Sequence, residues 1–122
     1  MAEALGKVGW LDITVDDAAG LKDFYQGVVG WGVEVASMGD YNDYVTMDSA
    51  GEAVGGICHA RGANKGVPTG WMPYFTVASM EDALKAAGAS GGTVVDGPRG
   101  AGGGTMAIVR DPAGCHFALY QS

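Results

Sequence analysis

Apolar and polar residues alternate cleanly along "VGWLDITV", residues 8–15. Leu11, Ile13 and Val15 fall on one face of a strand, and Trp10, Asp12 and Thr14 fall on the other. The period then lengthens. Ala18, Leu21, Phe24, Tyr25 and Val28 recur at helical spacing, with Asp16 or Asp17 as N-cap and Gly30 as exit. The same switch returns in the second half. In "WMPYFTV", residues 71–77, Phe75 and Val77 share one face, and Met72, Tyr74 and Thr76 share the other. Ser79 then caps a helix whose stripe is Ala83, Leu84 and Ala87. Asp82 serves as a short-armed capping-box partner, and Gly88 as the exit.

Three strands are predicted after each helix: 32–37, 43–48 and 52–58 in the first half, and 93–96, 104–110 and 115–121 in the second. "MGDYN" and "DPAG" read as turns, and residues 60–70 as a polar, glycine-rich linker. The expectation is an α+β fold of two βαβββ modules, about 5–60 and 70–122, in one domain spanning 1–122. Each helix covers one face of its own sheet. The two free faces, paired, would enclose a cleft, and the Trp10/Asp12/Thr14 face would point into it.

Composition narrows the function classes. Seven basic residues stand against fourteen acidic ones, for a net charge of −7. That balance argues against a nucleic-acid partner, which needs a basic face. The long apolar run of a membrane span is missing, and "MAEALGKVGW" has no apolar signal core, so the expected location is cytoplasmic. The two cysteines, Cys58 and Cys115, lie in apolar strand-like runs and read as buried, inert thiols. The 22 glycines punctuate turns between short elements.

The ordered set "DITVDD", "FY", "VVGW", "GGI", "WMPYFTV" and "VRDPAGCHFALYQ" resembles the vicinal oxygen chelate superfamily, which holds glyoxalase I, extradiol dioxygenases and the fosfomycin- and bleomycin-resistance proteins. The resemblance covers almost the whole chain. It implies a metal site at four positions, and these fall here on Trp10, on Met72, on Ala118, and on Gly55 or Gly56. Divalent metals want imidazole, carboxylate or thiolate. The expectation is therefore that the superfamily's metal is absent, with no cofactor in its place. The resemblance also implies a symmetric homodimer.

Asp12 is the sharpest candidate. On a cleft wall it would act as a general base or cation anchor, or else be a structural aspartate bonded to Tyr or Arg. Trp10, Met72 and Tyr74 would line the same wall and suit a flat or apolar ligand, or else simply pack between sheets. His116 alternates with Ala118 and Tyr120 and is either an acid–base residue near one end of the cleft or an exposed strand-end histidine. His59 opens the linker and reads as surface. "GPRGAGGG", residues 97–104, precedes a strand and not a helix, so it reads as a mobile loop at the cleft mouth, with Arg99 available to an anionic ligand. The functional expectation is a small-molecule binding protein without the usual metal. The alternative is a lyase- or isomerase-type enzyme of the same superfamily acting on a small organic substrate.

Overall fold

In the computed structural model of the chain, which describes residues 4–122, two modules each follow the order strand, helix, strand, strand, strand. The first comprises β1 (Val8–Val15), α1 (Ala18–Val29), β2 (Gly32–Ser37), β3 (Asn42–Met47) and β4 (Ala53–His59). The second comprises β5 (Met72–Thr76), α2 (Met80–Ala89), β6 (Thr93–Ala101), β7 (Gly104–Arg110) and β8 (His116–Gln121). The α+β reading and the duplication are both present. Within the modules the strand orders are β2-β3-β4-β1 and β5-β8-β7-β6, which match when one is read in reverse. β1 runs parallel to β4 and β5 parallel to β8, while the other pairs in each module are antiparallel.

The chain divides into two compact units. One holds Trp10–Trp71. The other holds Met72–Ser122 with residues 4–9, tied by Gly6 N–H to the Thr76 carbonyl at 2.7 Å.

In the first unit, α1 starts where Asp17 Oδ1 accepts from Gly20 N–H at 2.9 Å. It ends at Gly30, whose φ of 82° is the left-handed geometry glycine adopts without penalty. The helix buries Ala18 and packs Leu21 and Tyr25 against Ile13, Tyr44 and Ile57. Two residues of the predicted stripe do not follow: Phe24 is 57% exposed and Val28 67% exposed. At 100° per residue Phe24 lies about 60° beyond Leu21, off the packed face, whereas Val28 lies only about 20° from Leu21 and is exposed in the last turn of the helix. Around the exit, Tyr25 stacks on Trp31 at 5.7 Å and accepts the Trp71 indole N–H at 2.8 Å.

In the second unit, Ser79 Oγ accepts from Asp82 N–H at 3.1 Å, as expected of the cap. The helix runs through Gly88, however, and the left-handed residue past its end is Gly91, with φ 87°. Met80, Ala83, Leu84 and Ala87 pack on Ala107, Val109 and Leu119.

The duplication extends to a turn. "DSAGE" and "DPAGC" form the same loop: Asp48 Oδ1 accepts from Ala50 and Glu52 N–H, and Asp111 Oδ1 accepts from Ala113 and Cys115 N–H. A side-chain oxygen that bonds its own following amides is the usual reason aspartate opens a turn.

Residues 97–104 are the main departure from the expectation of a mobile loop. β6 continues to Ala101, pairs with β7 as far as Ala101 opposite Gly104, and turns through Gly102 and Gly103, both at positive φ. The strand is hidden in the sequence because glycine and proline carry no alternation. It forms because β7 offers ladder partners on both sides of the register shifts at Asp96, to Thr93 and Val94 before them and to Arg99, Gly100 and Ala101 after them.

Candidate functional site

Each sheet has a face turned away from its helix, and register decides what stands there. In the first unit, Ile13 and Ile57 pack toward α1, so Trp10, Asp12 and Thr14 lie on the opposite face. Parallel pairing sets Asp12 beside Gly56 and Thr14 beside Cys58. Antiparallel pairing adds Val45 opposite Gly56, and Asp43 stands two residues before it on the same face.

On this face the Trp10 indole Nε1–H donates to Asp12 Oδ1 at 3.0 Å, and Cys58 Sγ lies 3.9 Å from Asp12 Oδ2. The indole and the thiol thus stand at the two oxygens of the Asp12 carboxylate. Gly56 is what makes room, since a methyl group there would run into Asp12 Oδ1. Burial, and then the carboxylates of Asp12 and Asp43, push the Cys58 thiol far above its ordinary value. Cys58 therefore stays S–H, a weak neutral donor between two acids.

His59 departs from its reading as a surface residue. It ends β4 with a side chain only 15% exposed. Its backbone N–H donates to Asp43 Oδ1 at 2.8 Å, and its Nδ1 stands 2.7 Å from the Asn42 carbonyl. A carbonyl only accepts, so Nδ1 carries the proton and the lone pair of the neutral ring is at Nε2. The signal was present in "GGICH": His59 is in phase with Ile57, whose side chain is buried.

In the second unit, Ala107 and Val109 pack toward α2, which sets Met106 and Ile108 on the other face. Register brings Tyr74 beside Ala118, Ala118 beside Ile108, and Met106 beside Tyr120. Met72 and Ala118 are 4% and 0% exposed. His116 shares this face two positions from Ala118, half-buried and opposite Arg110. The two registers also make Gly56, of the Gly55/Gly56 alternatives, the counterpart of Ala118. A shallow groove of about 590 Å³ lies on the helix side, by Met80, Leu84 and Pro98, and carries none of the predicted site residues.

The structure thus joins Trp10 with Asp12 in one unit, and Met72, Tyr74, Ala118 and His116 on one face in the other. Among the described residues, no three His, Cys, Asp or Glu side chains are grouped to hold a metal ion. The four positions carried over from the superfamily present an indole, a thioether, a methyl group and a hydrogen, which do not fit a divalent metal.

Comparison with known proteins places these observations. The family model for the Glyoxalase/Bleomycin resistance protein/Dioxygenase superfamily matches residues 7–119. The anthracycline biosynthesis protein DnrV of Streptomyces peucetius is 30% identical over 97% of this chain, and DauV of Streptomyces sp. (strain C5) is 29% identical over the same share. The chain spans about half the length of these curated relatives, 48% of each. Among solved structures, a methylmalonyl-CoA epimerase from Streptomyces coelicolor in complex with 2-nitronate-propionyl-CoA superposes with a TM-score of 0.63 at 18% identity, covering 98% of this chain and 99% of that one. The epimerase from Mycobacterium tuberculosis gives a TM-score of 0.61 at 13% identity, with 99% and 92% covered. At such identities the likeness is one of fold.

Proposed function

Because the chain belongs to the Glyoxalase/Bleomycin resistance protein/Dioxygenase superfamily, we propose that it binds a flat, polycyclic aromatic small molecule without the superfamily's usual metal. The observation that carries this reading is the residues at the ligand positions: in one unit Trp10 and Gly56, and in the other Met72 and Ala118, put stacking and apolar surface where metal donors would stand. An indole pinned by Asp12 presents a fixed aromatic face, and stacking on such a face favours planar ligands. The naming of both curated relatives for anthracycline biosynthesis supports a fused-ring ligand.

The test is quenching of tryptophan fluorescence by a tetracyclic anthraquinone added to the purified protein. Saturable quenching, lost in Trp10→Ala, is the expected result. Linear, unsaturable quenching in wild type overturns the reading.

A second reading is favoured by the Asp12 carboxylate, which accepts from the Trp10 indole N–H and stands beside the Cys58 thiol. As a carboxylate it is a candidate proton acceptor for a lyase or isomerase acting on such a ligand. Conversion of the bound anthraquinone, followed by mass or absorbance and abolished in Asp12→Asn, would favour this enzyme reading over plain binding.

The same proposal includes a homodimer in the cytoplasm. β2 and β6 each pair with one neighbour in their own unit and carry exposed valines, Val35 on β2 and Val94 and Val95 on β6. Such edges are usually covered. No helix among the described residues is long and apolar enough to cross a membrane.

A further inference from the structure

The two glycines inside α1 stand there for different reasons. A methyl group at Gly20 would collide with the Asp17 carboxylate that caps the helix, so the cap itself explains glycine there. Gly27 has no such reason within the chain. Its φ is not left-handed, and a methyl group there would meet nothing within 4 Å beyond its own stretch of helix. Glycine in a helix interior is less stable than alanine, because it has more backbone freedom to lose. Beside Gly27 stand Phe24 and Val28, large apolar side chains left exposed. At 100° per residue Phe24 and Gly27 lie about 60° apart on one flank of α1, with Gly20 between them. Gly88 of α2 is also in open space, but that helix carries no exposed large apolar side chain. Charge sets the same surface apart. The chain has a net charge of −7, yet residues 24–33 carry no charged side chain. The acid that borders the flank, Asp23, is paired with Lys22 at 2.8 Å.

From this placement we infer that the Phe24–Gly27 flank of α1 is where a second copy of the chain docks, helix against helix. The inference rests on the homodimer proposed above and gives it a surface. A two-fold contact uses one patch twice, so the patch must hold both a projection and a recess. Phe24 is the projection and Gly27 the recess. In a two-fold pair of α1 helices the ring of each copy sits over the bare backbone of the other. Glycine lets two helices come closer than a larger residue does, and Val28 adds apolar area to the contact. Burial of the two phenyl rings supplies the driving force. Two copies at −7 each repel, so a self-contact favours surface where acids are missing or already paired, and this flank meets that condition.

The experiment is sedimentation velocity on wild type, Phe24→Gln, Gly27→Ala and Val35→Lys, with melting temperatures taken at dilution, where the chains are monomeric. Wild type should be a dimer at micromolar concentration. Phe24→Gln removes the projection and Gly27→Ala fills the recess, and each should weaken the dimer by roughly tenfold or more. Gly27→Ala should at the same time raise the melting temperature of the monomer, since alanine is the better helix former and the space is open. Val35→Lys, on the edge strand β2, should leave the dimer intact. A raised melting temperature in Gly27→Ala with unchanged dimer affinity overturns the inference. So does a dimer lost in Val35→Lys and kept in both helix variants, which would put the interface at the sheet edge and leave the homodimer reading standing. A wild type that stays monomeric overturns both and leaves the flank to a different partner. If Phe24→Gln does not fold, Gly27→Ala decides.

Discussion

The Trp10 indole and the Asp12 carboxylate, two positions apart on one face of β1, are joined by a 3.0 Å hydrogen bond. The bond fixes the ring by its polar edge, and in the binding proposed above the face of the indole is what the ligand would meet. It also gives the half-buried carboxylate a donor, which lowers the cost of keeping it charged there.

Asp12→Asn separates the structural role from the functional one. The asparagine oxygen can still accept from the indole, so the fold loses little, and removing a half-buried charge can even stabilise it. Ligand affinity should fall by about tenfold, or about 1.4 kcal/mol. Melting temperature and affinity measured on the same variant decide the matter. A large drop in melting temperature with normal affinity would make Asp12 purely structural.

Cys58 should be the slower thiol. Burial and the two acids hold it protonated, whereas Cys115, which the sequence placed in a buried strand, is exposed because it closes the turn opened by Asp111, just before β8. Alkylation near pH 8, followed by mass spectrometry, should modify Cys115 first, and Asp12→Asn or Asp43→Asn should speed modification at Cys58. The same shift has a stability consequence. Above the ordinary thiol value of 9.0, the unfolded chain loses this proton and the folded chain keeps it, so the unfolded state binds fewer protons and stability falls as pH rises. The contribution is intact below pH 9 and declines above it by up to about 1.4 kcal/mol per pH unit. Cys58→Ala should show a shallower alkaline decline than wild type, and identical pH profiles would contradict this account.

Thr46 is fully buried on β3, and its hydroxyl has no hydrogen-bond partner among the described residues. A buried hydroxyl without a partner costs free energy that a methyl group does not. Thr46→Val keeps the shape and should raise stability by about 1 kcal/mol, read as an increase of several degrees in calorimetry. A lower melting temperature would mean the hydroxyl is satisfied in solution.

Much of the fold was legible in the sequence because it rests on local periodicity. The alternation in "VGWLDITV" and the caps at Asp17 and Ser79 are signals carried by neighbouring residues, and each appears in the structure. What the sequence hides is set by pairing. β6 beyond Asp96 has no alternation to read, and its partner β7 supplies the order. Cys58 meets Asp12 only through the parallel register of β4 on β1, across 46 residues. That Trp10 and Asp12 share a face follows from counting by two. That the indole turns its N–H to the carboxylate is a rotamer, and the space Gly56 leaves helps permit it. His59 was missed because a polar linker follows it, although Ile57 put it in phase with a buried position.

The central claim is binding without a metal, and one titration tests it directly. Purified protein is treated with excess EDTA, dialysed, checked by elemental analysis, and titrated with the tetracyclic anthraquinone by tryptophan fluorescence. It is then titrated again after addition of Zn, Ni, Mn or Fe(II). The account predicts saturable binding of the same affinity in every case. Binding that disappears in EDTA and returns with one bound equivalent of metal would contradict it.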